Sequence, residues 1–267
     1  MKTRLKILFE KKIQRNLSIF ITAGFPKKES LLEIIPLLEN SDCDIIEIGI
    51  PFSDPLADGP VIQRSSNIAL NNGMSLNLLL LQVKQLRLVT TKPIVLMGYL
   101  NSILKFGIQN FYARCAESGV DGVILPDLPL HEFKKDHEPF IKKYGLDFIF
   151  MITPSTENQR VLELAPHSSG FLYVVSSNST TGTQNKTQID LPGKITVLKN
   201  GGLKVPLMMG FGIKNTNDFE KACQHTNGAI IGSAFVALVK NSNDLKNDII
   251  SFILTIKSKS NDHSIKF

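Results

Sequence analysis

Short, continuous apolar runs rich in β-branched residues recur along the chain at fairly even spacing: Ser18 to Thr22, Asp44 to Gly49, Pro93 to Met97, Gly122 to Leu125, Asp147 to Ile152, Phe171 to Ser176, Pro206 to Met209 and Ala229 to Ile231. Runs of this length without polar alternation suit strands buried on both faces. Between them the apolar positions change to helical spacing, as at Leu31, Ile34, Ile35 and Leu38 and again at Leu78, Leu79, Val83 and Leu86. Strand, helix, strand repetition implies a parallel sheet with right-handed crossovers. Eight such units in 267 residues, with no Pro/Ser-rich linker to divide them, predict an α/β fold. The expectation is a single closed (β/α)8 TIM barrel over residues 1–267 rather than a doubly wound sheet with a second domain. Thr3 to Arg15 is expected to form an extra helix before the first strand and to cap the bottom of the barrel.

Composition changes this picture little. An apolar fraction of 43% and a charged fraction of 20% are those of a soluble globular chain and exclude disorder or collagen-like repetition. The net charge of +6 raises the question of nucleic acid, but the lysines are scattered singly or clustered at the ends, Lys2 to Lys12 and Lys257 to Lys266. No basic run carries interleaved aromatic residues for stacking, so a mildly basic solvated face is the better reading and no nucleic-acid partner is expected. Cys43, Cys115 and Cys223 are far apart, with no CxxC and no histidine at ligand spacing, which suits a reducing compartment and no structural metal. Ile7-Leu8-Phe9 is too short for a secretory apolar core. No run approaches the roughly 20 apolar residues of a membrane span. A cytoplasmic protein is expected.

In such a barrel the chemistry belongs at the carboxyl ends of the strands. The second unit is the most informative. Glu47 interrupts an apolar strand, where an ionised carboxylate is costly, so its pKa should be raised and it can exchange a proton near neutrality. The alternative is a buried carboxyl satisfied by a backbone donor or an arginine. Asp58 follows in a Pro/Gly-rich loop over the barrel mouth; a loop aspartate before Gly59-Pro60 is more often a turn former or helix cap than a functional group. Late in the chain, Met209-Gly210-Phe211-Gly212-Ile213 and Ile231-Gly232-Ser233-Ala234 end the seventh and eighth strands. Glycines there let the backbone approach an anion, and the segment from Ser233 offers free N–H groups at a helix start, the usual barrel phosphate site. Either turn alone can instead be a plain strand-to-helix connection. The small, polar run from Ser176 through Thr181 and Gly182 to Thr187 suits a lid over substrate, or an ordinary surface loop. Tyr173, just upstream, is core or site.

These residues together resemble the tryptophan synthase alpha subunit over nearly the whole chain. The run Phe20-Ile-Thr-Ala-Gly-Phe-Pro26 is similar to that family's first-strand signature. Glu47-Ile-Gly-Ile-Pro-Phe-Ser-Asp-Pro-Leu-Ala-Asp-Gly-Pro-Val-Ile-Gln63 is similar to its most diagnostic segment. Tyr99-Leu-Asn101, Val123-Ile-Leu-Pro-Asp127-Leu-Pro129, Gly210-Phe-Gly212 and Gly232-Ser-Ala234 follow in order at compatible spacing.

The resemblance implies retro-aldol cleavage of indole-3-glycerol phosphate to indole and glyceraldehyde 3-phosphate, a step of L-tryptophan biosynthesis. It implies Glu47 as the acid/base that protonates indole C3 and takes the glycerol hydroxyl proton. Asp58 would be the carboxylate on the indole N–H. It further assigns Gly182, Gly212, Gly232 and Ser233 to the phosphate, and Phe20, Tyr99, Tyr173 and Phe211 to the walls around the indole or the catalytic carboxyl. Thr181 would be the lid residue that helps hold the aspartate. No metal, nucleotide or pyridoxal phosphate is implied on this chain; pyridoxal phosphate belongs to the family's β subunit. That partner, expected in an α2β2 heterotetramer, would receive indole and touch Pro51 and Asp54. Two departures stand out: Ser177-Asn178-Ser179 replaces the family's Arg-Ala-Gly in the lid, and Ser102 stands where a proline often follows Tyr-x-Asn. Two other readings remain, a non-catalytic activator of the β subunit and another phosphate-binding barrel. The second lacks the strand lysine or aspartate pair that such enzymes use.

Overall fold

The structure, a computed structural model, describes residues 2–176 and 190–258. Its strands are β1 (Asn16–Thr22), β2 (Ile45–Gly49), β3 (Ile94–Met97), β4 (Gly122–Ile124), β5 in two pieces (Asp147–Ile149 and Met151–Ile152), β6 (Leu172–Val175), β7 (Leu207–Gly210) and β8 (Gly228–Ile231). Every pairing is parallel, each strand lies beside its sequence neighbour, and β8 returns to pair with β1. The first piece of β5 pairs with β4 and the second with β6, so the ladder breaks only at Phe150. The expected (β/α)8 barrel is therefore observed, with each strand within two residues of its predicted bounds.

The helices follow the expected stripes with one shift. Leu31, Ile34, Ile35 and Leu38 are all buried on the helix Ser30–Glu39. On the helix Leu76–Leu86 the buried stripe is Leu79, Leu80, Val83 and Leu86, and Leu78 is only partly buried. Its N-cap Ser75 accepts the Leu78 N–H, which fixes the start of the first turn and turns Leu80 rather than Leu78 to the core.

The leading helix, α1 (Arg4–Lys11), is shorter than the expected Thr3 to Arg15. Thr3 caps it, and the chain leaves helical geometry at Lys12, with Arg15 at φ 59°. It does cap the bottom of the barrel, and the means is electrostatic. Asp44, Asp121 and Asp147 stand at the amino ends of β2, β4 and β5, and α1 with its flanks reaches all three. Lys12 lies 2.6 Å from Asp44, which also accepts from Lys257 at 2.8 Å and from the Leu17 N–H at 2.8 Å. Thr3 donates to Asp147, and the Lys6 ammonium stands 3.1 Å from its other oxygen as an ion pair without hydrogen-bond geometry. Asp121 accepts from the Arg4 N–H and guanidinium, both at 3.1 Å, from Arg87 at 2.6 Å and from the Ile94 N–H at 2.9 Å. A buried carboxylate in this setting stabilises chiefly by what its loss would orphan. Asp121→Ala strands the largely buried Arg87 guanidinium and should cost about 3 kcal/mol, read as a lower urea midpoint at unchanged slope. An unmoved midpoint would show that the Asp121 clamp contributes nothing.

Candidate active site

Strand register decides which side chains meet inside the barrel. Phe20 pairs with Glu47, Thr22 with Gly49, Tyr173 with Met208 and Val175 with Gly210. Side chains alternate along a strand and paired residues share a face. Met208 pairs in turn with Gly228, and Ile230 with Ser18, so Phe20, Glu47, Gly49, Tyr173 and Gly210 line one surface, the upper interior. Two glycines are required there by close approach. A Cβ on Gly49 would sit 2.5 Å from the Phe20 ring, and one on Gly210 would sit 2.1 Å from the Tyr173 hydroxyl. The rings lie in space that any other residue would fill.

Glu47 is 1% exposed, and neither carboxyl oxygen has a hydrogen-bond partner among the described residues. The satisfied-carboxyl alternative thus finds no support. Burial, and next the charge of Asp58, push its pKa up to about 8. Near neutrality Glu47 holds a proton.

Asp58 is held differently. Gly59 is the N-cap of the helix Pro60–Asn71 and no side chain caps it, so Asp58 is not the helix cap. Its carboxylate instead accepts the Tyr99 hydroxyl at 3.0 Å. That hydroxyl in turn accepts the Ala57 N–H at 3.0 Å, and the Phe52 ring stacks on Tyr99 at 5.3 Å. Tyr99 is placed by the chain turning from β3 into the helix Leu100–Phe106, whose first free N–H, from Leu100, goes to Asp127 at 3.0 Å. Burial raises the Asp58 pKa while the Tyr99 bond opposes it, leaving it at about 6. Deeper burial and the Asp58 charge hold Glu47 above Asp58, leaving one carboxyl protonated and one ionised at pH 7.

The charges of Glu47 and Asp58 both act on Tyr173, whose phenol is buried and held well above its usual pKa. Phe211 packs edge-on to Tyr173 at 6.0 Å. Phe211 and Gly212 have positive φ, 64° and 76°, forming a left-handed turn after β7. Gly232 precedes the helix Ser233–Asn241, and a Cβ there would lie 3.5 Å from Phe20. The first N–H groups of that helix have no intrahelical acceptor, and its dipole favours an anion. Glu47, Asp58, Phe20, Tyr99, Tyr173, Phe211, Gly212, Gly232 and Ser233 thus all belong to the upper ends of the strands or the loops that leave them. Pro51 is buried and Asp54 exposed in the loop between the carboxyls, where Leu56 is 88% exposed. Thr181 and Gly182, with Ser177 to Ser179, lie outside the described residues. Sequence reasoning does not single out Phe52; its only signal is that it is the one aromatic residue in the loop from Pro51 to Gly59. Among the described residues no cluster of His, Cys, Asp or Glu is placed to hold a metal. No described helix is long and apolar enough to cross a membrane.

A family model described as Tryptophan synthase alpha chain matches residues 8–263. The chain belongs to the tryptophan synthase alpha chain family. It is 42% identical over 247 residues to the alpha chain of Bacteroides thetaiotaomicron, covering 92% of this chain and 96% of that protein. It is 45% identical over 231 residues to the alpha chain of Flavobacterium psychrophilum, covering 86% and 90%. The crystal structure of the Legionella pneumophila tryptophan synthase subunit alpha superposes with a TM-score of 0.86 at 32% identity, covering 96% of this chain and 97% of that one. Alpha chains of this family are the indole-3-glycerol phosphate lyase component of tryptophan synthase and pair with a beta subunit. The lyase reading therefore displaces that of another phosphate-binding barrel.

Proposed function

We propose that this chain cleaves indole-3-glycerol phosphate with Glu47 as the acid/base and Asp58 as the electrostatic partner of the indole nitrogen. The observation that carries the assignment is the inward-facing Glu47, without a hydrogen-bond partner among the described residues, beside an Asp58 held by Tyr99. Glu47 gives its proton to indole C3, and positive charge develops on the ring nitrogen opposite the ionised Asp58. The glycerol hydroxyl next to the scissile bond then returns a proton to Glu47. As its oxygen becomes an aldehyde, the carbon–carbon bond electrons pass back into the ring. Indole and glyceraldehyde 3-phosphate result, with the carboxyl restored and no net proton, water or electron consumed. Such a cycle needs one group that can hold and regain a proton near neutrality, and a second that stays ionised.

Phe20, Tyr99, Tyr173 and Phe211 would wall the indole. Gly212, Gly232 and Ser233, with Gly182 from the sequence alone, would take the phosphate, and Thr181 would steady Asp58. The partner is a tryptophan synthase β subunit in an α2β2 assembly, docked around Pro51, Asp54 and the exposed Leu56. Since that loop also carries Asp58, partner contact and the indole-binding carboxylate share one short segment.

Indole release from indole-3-glycerol phosphate tests this, followed from pH 5 to 9 with and without β subunit. Below about 6 the rate should fall because Asp58 takes up a proton, and above about 8 because Glu47 loses one. The β subunit should raise the plateau. A profile flat across both limbs would detach the two carboxyls from the reaction. Activation of β without any indole would instead support the regulatory reading.

A further inference from the structure

The end of β6 and the turn after β7 are tied by two hydrogen bonds that none of the roles above uses. The Ser176 N–H donates to the Gly210 carbonyl at 3.0 Å, and the Ser176 hydroxyl donates to the Phe211 carbonyl. Phe211 and Arg15 are the two non-glycine residues with positive φ among the described residues. A side chain persists in that backbone region where its surroundings over-determine it. Here the ring is held against Tyr173 and the carbonyl is held by Ser176. The Phe211 C=O and the Gly212 N–H belong to one planar trans peptide and point in opposite directions, so fixing the first aims the second. Gly212 continues the left-handed turn at φ 76°, which only glycine adopts freely, and a Cβ there would lie at ordinary van der Waals distance from the Ser176 hydroxyl.

We propose that Ser176 is a positioning residue for phosphate binding: by holding the Phe211 carbonyl it orients the Gly212 N–H toward the substrate's phosphate without touching that phosphate itself. The inference rests on the lyase reading and on Gly212 as a phosphate contact. It assigns Ser176 a part in substrate affinity rather than in proton transfer.

The test compares Ser176→Ala and Ser176→Thr with the native full chain, using indole release for KM and kcat and protection from thermal unfolding by inorganic phosphate. Loss of one aiming hydrogen bond should raise KM about five- to ten-fold, with kcat within about two-fold. Half-saturation by phosphate should rise by the same factor. The threonine variant, which keeps the donor, should return both toward native values. A merely structural serine would lower the unfolding temperature without splitting KM from kcat. Should the alanine variant fail to fold, Ser176→Cys, of similar size but a weaker donor, takes its place with the same expectations. Unchanged KM and phosphate half-saturation, or a threonine variant no better than alanine, overturns the proposal. Absence of indole from the native chain would refute the lyase reading, while the phosphate titration would still decide the part played by Ser176.

Discussion

Replacing Glu47 with glutamine is expected to lower indole release by about a thousand-fold or more, the scale of removing a group that both gives and takes the transferred proton. The same change should make the folded protein harder to unfold in alkali. Folded Glu47 titrates at about 8 against 4.5 for an ordinary glutamate, so folding favours its protonated form, and the native protein loses stability as pH rises through that interval. Glutamine does not titrate. The gap in unfolding free energy between Glu47→Gln and native should widen by about 4 kcal/mol from pH 5 to pH 8, at about 1.4 kcal/mol per pH unit, and then level off. Urea unfolding at a series of pH values reads this directly. Retained turnover in the purified variant would remove Glu47 from the chemistry. A pH-independent stability gap would mean that the carboxyl is not buried as described.

For Asp58→Asn the expected loss of kcat is about a hundred- to a thousand-fold, the range seen when one preorganised electrostatic group is taken from a developing charge. The fold should survive, because asparagine keeps an oxygen that can accept the Tyr99 hydroxyl now bonded at 3.0 Å. What disappears is the negative charge opposite the indole nitrogen, together with the repulsion that helps keep Glu47 protonated. The variant should therefore melt near the native temperature while failing in the indole assay. A kcat close to native would exclude Asp58 from the mechanism.

The strands were legible because a strand covered on both faces has no polar alternation, and each such run, from Ser18–Thr22 to Ala229–Ile231, is bounded by polar or turn-forming residues. Glu47 was legible for the same reason, as a charge in an apolar run. The interruption at Phe150 was not, because its N–H goes to the hydroxyl of Ser168, 18 positions away, and nothing in the run Phe148, Ile149 and Ile152 marks that bond. Nor was the clamp beneath the barrel. Asp44, Asp121 and Asp147 look like ordinary polar residues at strand starts, and their partners lie 32, 117 and 144 positions away for Lys12, Arg4 and Thr3. The bond from Tyr99 to Asp58 spans 41 residues and follows no periodicity. The resemblance implied Tyr99 only as a wall residue and Asp58 as the indole carboxylate, so the bond joining them comes from the structure alone. By sequence Ser176 is the first residue of a lid-like run, and nothing there reveals that its hydroxyl turns back onto Phe211.

The pairing of β1 with β8 sets an order on how the chain can mature. Asn16 to Ile19 leave the ribosome early, yet their partners Gly228 to Ile231 are among the last strand residues made, and Lys257 must follow before Asp44 has its second cation. Throughout most of synthesis, then, the first strand has one hydrogen-bonding edge open, the kind of surface on which nascent chains stick to one another. Truncation ahead of Gly228 would leave that edge permanently bare, so fragments of this polypeptide should aggregate rather than persist as smaller barrels.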